Sequence, residues 1–239
     1  MDALQTGMDT DTGALSVAVA SLGTLRYQVW SCLPSFAKSC QKGGIDRVST
    51  VTWGIILDLL DQEQGTGLEA VALSTLRNLT TTAREPEEAR RVLTTAPLFP
   101  RALQLMFVRY SMPDSDSLRG NIRMTLNVYL ALFEPAVFDP NVDFLLTRKL
   151  ATIDTSNPSD ESLRCVELLT VLAPHLTTAR MAEAGLYLER WLDDGAAVDA
   201  KLQKRVYRYL ETVSAGDTPT SNEHAKEDAA RLADRLYGW

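Results

Sequence analysis

Apolar residues recur along this chain at steps of three and four. Val48, Val51, Ile55 and Leu59 form one such series, Leu68, Ala72, Leu76 and Leu79 a second, and Leu118, Ile122, Leu126 and Leu130 a third. Leu163, Val166, Leu169 and Leu172 continue the pattern, as do Val198, Leu202, Val206, Tyr209 and Val213. A step of three to four residues places side chains on one face of an α-helix, so each series predicts one helix with one buried stripe. Strand signals are almost absent, because no segment alternates apolar and polar residues for long and no Asn-Gly or Asp-Gly separates β-branched runs.

The breaks between stripes carry their own chemistry. Proline is excluded from helix interiors and glycine favours helix ends. Pro34 with Gly43-Gly44 closes the first helix and opens the next, and Gly65-Thr66-Gly67 separates the second from the third. Pro86 followed by Glu87-Glu88 reads as a first-turn proline with acids on the positive end of a helix dipole. Pro113-Asp114-Ser115, Glu134-Pro135 and Asp139-Pro140 punctuate the middle, Ser159 is the expected cap of a helix starting near Asp160, and Pro174 and Gly195 bound the next pair. Together these predict ten or eleven helices.

Leu79, Leu130, Leu172 and Val213 close successive elements at separations of 51, 42 and 41 residues. A period of about 40 to 47 residues with two or three helices each is the signature of HEAT and armadillo arrays, in which no repeat buries its face alone. Ala72–Leu79 (ALSTLRNL) looks like an armadillo-type helix. The expected fold is all-α, a right-handed HEAT/armadillo-like α-solenoid of about five helical pairs. Its expected parts are a mobile N-terminus over 1–12, the solenoid over 13–214, a linker over 215–222 and a C-terminal helix over 223–239, with Ala225, Ala229, Leu232 and Leu236 on one face.

Composition narrows the function classes. With 239 residues, 45% hydrophobic and 23% charged, the chain has enough apolar side chains for a sizeable core, and 13 glycines and 10 prolines exclude collagenous or low-complexity classes. The net charge of −7 and an isoelectric point near 4.9 exclude capture of nucleic acid by a general positive field, so any RNA contact must be local. Cys32, Cys40 and Cys165 are an odd number without a C-x-x-C pair, which points to a reducing compartment rather than a disulfide framework. The apolar stretches Ala14–Leu22 and Gly54–Leu60 are shorter than the roughly 18 residues a membrane span requires. Asp2, Asp9 and Asp11 break the pattern of a signal or transit peptide. The expectation is a soluble intracellular protein with no membrane partner.

Catalytic constellations are missing from the pattern. His175 and His224 are about fifty residues apart, with no Cys or carboxylate at metal-ligand spacing, and His175 after Pro174 reads as a turn residue. Gly65-Thr66-Gly67 lacks the Gly-Lys-Ser/Thr of a phosphate loop, and neither a Gly-x-Ser-x-Gly elbow nor a kinase set occurs. Cys165 lies within an apolar stripe and reads as a buried, inert thiol. Asn78-Leu79-Thr80 formally matches a glycosylation acceptor but falls inside a helix. Asp193-Asp194 and Glu87-Glu88 sit at helix ends and surface turns. The expected protein is no enzyme and takes no cofactor, metal or small-molecule substrate.

One local feature opposes the acidic average. Lys201, Lys204, Arg205 and Arg208 fall at i, i+3, i+4 and i+7, a single basic face on the predicted Asp199–Ser214 helix, opposite its apolar stripe. Such a face can meet phosphates or an acidic partner segment. Its ordinary reading is a solvated surface balanced by Asp199 and Glu211. Arg119 with Arg123, and Arg84 with Arg90-Arg91, are weaker sites of the same type, and Tyr207, Tyr209 and Trp191 read as core rather than as stacking platforms.

Two stretches carry a family resemblance. Leu25–Phe36 (LRYQVWSCLPSF) resembles the "LW-x-LLP-x-F-C" segment of the ribosomal RNA processing protein 12 family, large HEAT-repeat proteins of the nucleolus, and Leu202–Glu211 (LQKRVYRYLE) is similar to that family's "VQKKAYRVLE" segment. Between them, Leu126–Leu130 and Leu168–Pro174 stand in the order and spacing of the family's "IRTYL" and "LVVALAP" segments. The resemblance covers roughly residues 20 to 215. It departs at Ala37, where the family has cysteine, and at Lys38–Gln41, where charge-rich residues usually follow. Family members are several times longer, so the chain would correspond to a central portion, a fragment or a shortened relative. The resemblance implies a nuclear and nucleolar scaffold, shuttling to the cytoplasm, in pre-ribosome maturation and export. Its partners would be assembly factors, transport proteins and pre-ribosomal RNA. The alternative is a transport or signalling adaptor that holds an extended peptide in its groove.

Overall fold

The computed structural model describes residues 3–40, 42–61, 67–112, 116–193, 198–215 and 223–237. Over these the protein is all-α, with no strand among the described residues. Two compact units divide the chain, residues 1–89 and 90–239.

The first unit holds α1 (Ala3–Ser31), α2 (Leu33–Ser39), α3 (Ile45–Asp61) and α4 (Leu68–Thr81), and α5 (Pro86–Thr95) begins in it. Helix α1 takes in most of residues 1–12, set apart as mobile in the sequence reading; Met1 and Asp2 lie outside the described residues. Helix α4 packs against α2, α3 and α1. Its predicted stripe Leu68, Ala72, Leu76 and Leu79 is buried throughout. The stripe of α3 is rotated by one residue from the expected one. Val51 is 65% exposed and Ile55 only half-buried, while Thr52, Trp53, Ile56, Leu59 and Leu60 join Val48 in the core. Of the two overlapping apolar faces of this helix, the one carrying the large Trp53 ring is buried, and Thr52 within it donates its hydroxyl to the Val48 carbonyl at 2.7 Å.

The turn between α2 and α3 is tied to the end of α4. Gly43 has φ +89°, a left-handed conformation that glycine adopts without steric cost, and its N–H donates to the Thr82 carbonyl at 2.8 Å. Asn78 is half-buried and its amide donates to the Pro34 carbonyl at 2.9 Å, so it ties α4 to α2. Pro86 opens α5 with Glu87 and Glu88 in the first turn, as read from the sequence, and the Glu88 carboxylate accepts from the Arg84 N–H at 2.6 Å.

The second unit contains α6 (Phe99–Ser111), α7 (Asp116–Leu132), α8 (Asp139–Phe144, continuing through a wider turn to Thr152), α9 (Asp160–Leu172), α10 (Thr178–Asp193), α11 (Ala200–Ala215) and α12 (Glu223–Tyr237). Helix α6 packs on α7 and α9, α9 on α11, and α12 on both α11 and α10. The predicted stripes of α7 and α9 are buried in full, and that of α11 is buried from Leu202 to Val213. Phe99, Tyr129 and Phe133 form an aromatic cluster with ring centroids 5.2 to 5.8 Å apart. Ser159 caps α9, its hydroxyl accepting from the Ser162 N–H at 3.1 Å. The readings placed on Gly65-Thr66, Pro113–Ser115, Gly195 and the linker residues 216–222 lie outside the described residues.

Arginines fasten the second unit from helix to helix. Arg164 donates to the Met112 carbonyl at 2.5 Å and to Asp116 at 3.2 Å, joining α9 to the end of α6 and the start of α7. Arg180 on α10 meets Asp139 at 3.2 Å and Asp143 at 3.1 Å on α8, and its neighbour Glu183 at 2.6 Å. Arg90 donates to the Leu132 carbonyl.

Candidate macromolecule-binding face

Helix α11 begins where Asp199 places it. The Asp199 carboxylate accepts from the N–H groups of Lys201 at 2.8 Å and Leu202 at 3.3 Å, satisfying donors that the first turn leaves free. Its own N–H donates to the Thr155 carbonyl at 2.8 Å. Once the start and the apolar stripe Leu202, Val206, Tyr209, Leu210 and Val213 are fixed, the rotational setting of the basic residues follows.

The four predicted cations divide into two roles. Arg205 is half-buried: its Nε donates to Glu167 on α9 at 2.8 Å and one terminal nitrogen to the Lys201 carbonyl at 3.2 Å. It therefore locks α11 to α9. Lys201, Lys204 and Arg208 are exposed, and none of them forms an ion pair among the described residues. They make a solvent-facing ridge, with Glu211 exposed at its far end. Such a ridge can hold phosphate or carboxylate groups spaced along an extended partner.

Helix α7 adds to the same electrostatic neighbourhood. Tyr110 on α6 is buried, and burial chiefly raises its pKa above the ordinary value, helped by the Glu167 charge, while Arg119 and Arg123 oppose the rise. Glu167 thus acts both on this phenol and on Arg205. Arg119 pairs with Asp116 at 2.6 Å, and Arg123 is exposed. The remaining weak candidates separate: Arg84 lies over Gly43, where a Cβ would come within 2.5 Å of its Nε, Arg90 is tied to Leu132, and Arg91 is exposed. Tyr209 and Trp191 are buried, as expected of core residues, whereas Tyr207 is half-exposed with its hydroxyl 3.4 Å from Glu211.

The other chemistry-bearing residues fall into structural places. Cys165 is buried, and burial is the main cause that pushes its thiol up to about 11. His175 sits half-buried in the turn after α9, and burial lowers its pKa. His224 lies in the first turn of α12. No group of three His, Cys, Asp or Glu residues that could hold a metal occurs among the described residues. No described helix is long and apolar enough to cross a membrane.

One feature escaped the sequence reading. An apolar groove of about 260 Å³ runs between α10, α11 and α12, floored by Met181, Leu210, Ala229 and Leu232 and opened by Gly185 and the 56%-exposed Leu186. Glu189 and Asp228 stand at its rim, both bound by Arg231, at 2.6 and 3.4 Å. The only sequence signal for it is the clustering of small residues Ala182, Ala184 and Gly185 beside Leu186, which a helical pattern alone reads as ordinary packing.

No protein-family model matches this chain, no curated protein matches it, and no solved structure matches it.

Proposed function

We propose that the chain is a non-enzymatic, right-handed HEAT/armadillo-like scaffold acting in ribosome biogenesis, with the α11 ridge as a local contact for RNA or an acidic partner segment. The repeat reading is supported by the burial of all four anchors, Leu79, Leu130, Leu172 and Val213, and by the packing of α6 on α9, α9 on α11 and α11 on α12. The assignment to pre-ribosome maturation rests on the resemblance to the ribosomal RNA processing protein 12 family. Its partners are then assembly factors and transport proteins in the nucleus and nucleolus, and it takes no cofactor.

The observation that carries the contact is the exposure of Lys201, Lys204 and Arg208 on one side of a helix whose other side is core. The test measures binding of single-stranded RNA to the full chain across a salt series, with these three residues changed to Glu. Arg205 is left in place because its loss would disturb α9 and α11. Three phosphate contacts correspond to a log–log salt slope of about −2, which the triple variant abolishes. Wild-type and variant curves that coincide exclude RNA from this face. Affinity purification from cells tests the wider reading, since recovery of pre-ribosomal particles is its direct consequence.

A second reading, an adaptor holding a peptide, is favoured by the groove between α10 and α12. Filling it by Gly185→Leu, where a Cβ meets no atom within 4 Å, would abolish peptide capture and leave RNA binding unchanged.

A further inference from the structure

Helix α1 contributes little to the core of its own unit. Every residue from Ser16 to Val29 is exposed, and Trp30 is half-buried. Tyr27 lies against the body of the unit, its ring 3.6 Å from where a Cβ would stand on Gly67, at the start of α4. On other sides of the helix, Val19, Leu22, Leu25 and Val29 are 62%, 65%, 56% and 56% exposed.

Three of these residues belong to a regular series. Leu15, Ala18, Leu22, Leu25 and Val29 follow one another at alternating steps of three and four without a break. That 3.5-residue repeat is the spacing of a paired-helix seam, with Leu15, Leu22 and Val29 at the first position of the heptad and Ala18 and Leu25 at the fourth. Asp11 occupies the next position towards the N-terminus and ends the apolar run. Tyr27 falls at the sixth position, on the side away from the seam. The helix is therefore anchored to α4 by its back, with its seam turned outward.

We propose that α1 is a self-association helix, and that two copies of this chain pair in parallel along this seam. Charge on the flanks does not oppose a second copy. Heterotypic pairs are specified by opposite charges flanking the seam, whereas here the flanks are Val19 and Arg26 on one side and Ala14, Ser21 and Gln28 on the other. Parallel self-pairing sets Arg26 beside Ser21 of the second copy, so no like charges meet from Leu15 onward. At their exposures the four side chains offer together on the order of 900 Å² over two copies, and the rest of the seam extends this towards the ~1,200 Å² of the smaller stable interfaces.

The pairing makes one prediction with a built-in probe. Cys32 follows α1 in right-handed helical geometry (φ −78°, ψ −17°), is exposed, and falls at the next seam position, so parallel pairing brings the two Cys32 thiols together. Sedimentation of the full chain at roughly 50 µM is expected to give twice the 26.4 kDa chain mass. Leu22→Lys with Leu25→Lys returns the monomer, whereas Val51→Lys, at an exposed valine on α3, leaves the dimer. A short bismaleimide cross-links the unsubstituted dimer, and the cross-link is lost in Cys32→Ser and kept in Cys40→Ser. A monomer at that concentration, a dimer indifferent to the Leu22 and Leu25 changes, or the absence of a Cys32 cross-link overturns the proposal. Should the double variant fail to fold, as read by its helical circular dichroism, the cross-link in the unsubstituted chain decides.

Discussion

Cys165 shows how position turns a reactive residue type into an inert one. Its thiol is buried among the stripe of α9, and desolvation, the largest influence on it, holds its pKa at about 11, so almost no thiolate exists at neutral pH. In the native protein at about pH 7.5, Ellman's reagent should titrate Cys32 and, more slowly, Cys40, with Cys165 reacting only after denaturation; three rapidly reacting thiols would contradict its burial. His175 gives a pH dependence of known sign. Burial lowers its native pKa below the 6.5 of the free imidazole, so below that pH the unfolded chain binds a proton that the native turn resists. Its stabilising contribution is complete above pH 6.5 and is lost as pH falls through the lowered native pKa. Comparing urea midpoints at about pH 7.5 and about pH 5, His175→Gln should therefore gain stability relative to wild type on acidification. Both residues were legible as structural from sequence: Cys165 lies within a stripe, and His175 follows a proline. Arg205 was not, since nothing in its own helix announces a carboxylate 38 positions earlier.

Helices with one dominant stripe were readable, and helices with two were not. On α4, α7 and α9 the apolar residues at steps of three and four are the ones buried, because each helix offers one continuous face. Helix α3 offers two overlapping faces, and the choice between them is made by its packing against α4, which periodicity does not contain. Capping was legible at Ser159, where Ser-Asp-Glu follows a proline, and the setting of α11 depends on a similar device at Asp199. Asp199→Ala should cost about 1 kcal/mol, the usual worth of an N-cap, and loosen the first turn that carries Lys201. Chemical denaturation checks the first expectation, and amide hydrogen exchange at Lys201 and Leu202 the second. Unchanged exchange there would mean that the Arg205–Glu167 pair alone fixes the helix.

The charge of −7 averages over a local excess of the opposite sign: Lys201, Lys204 and Arg208 stand exposed on one ridge and form no ion pair among the described residues. The all-α class was legible throughout because it needs only local periodicity. The apolar groove was hidden because it arises from three helices whose side chains each look ordinary alone. The arginine ties of the second unit have a consequence for how that unit is made. They join residues 42, 52, 41, 38 and 42 positions apart, from Arg90 and Leu132 through to Arg231 and Glu189. Loop closure over such spans differs by only a few tenths of a kcal/mol, so no tie is entropically favoured over the next. During synthesis at about 5–20 residues per second, each tie becomes available a few seconds after the helix it anchors has emerged. The unit can then lock in sequence order behind the ribosome, each segment fastened once a helix two or three further along the chain has been translated.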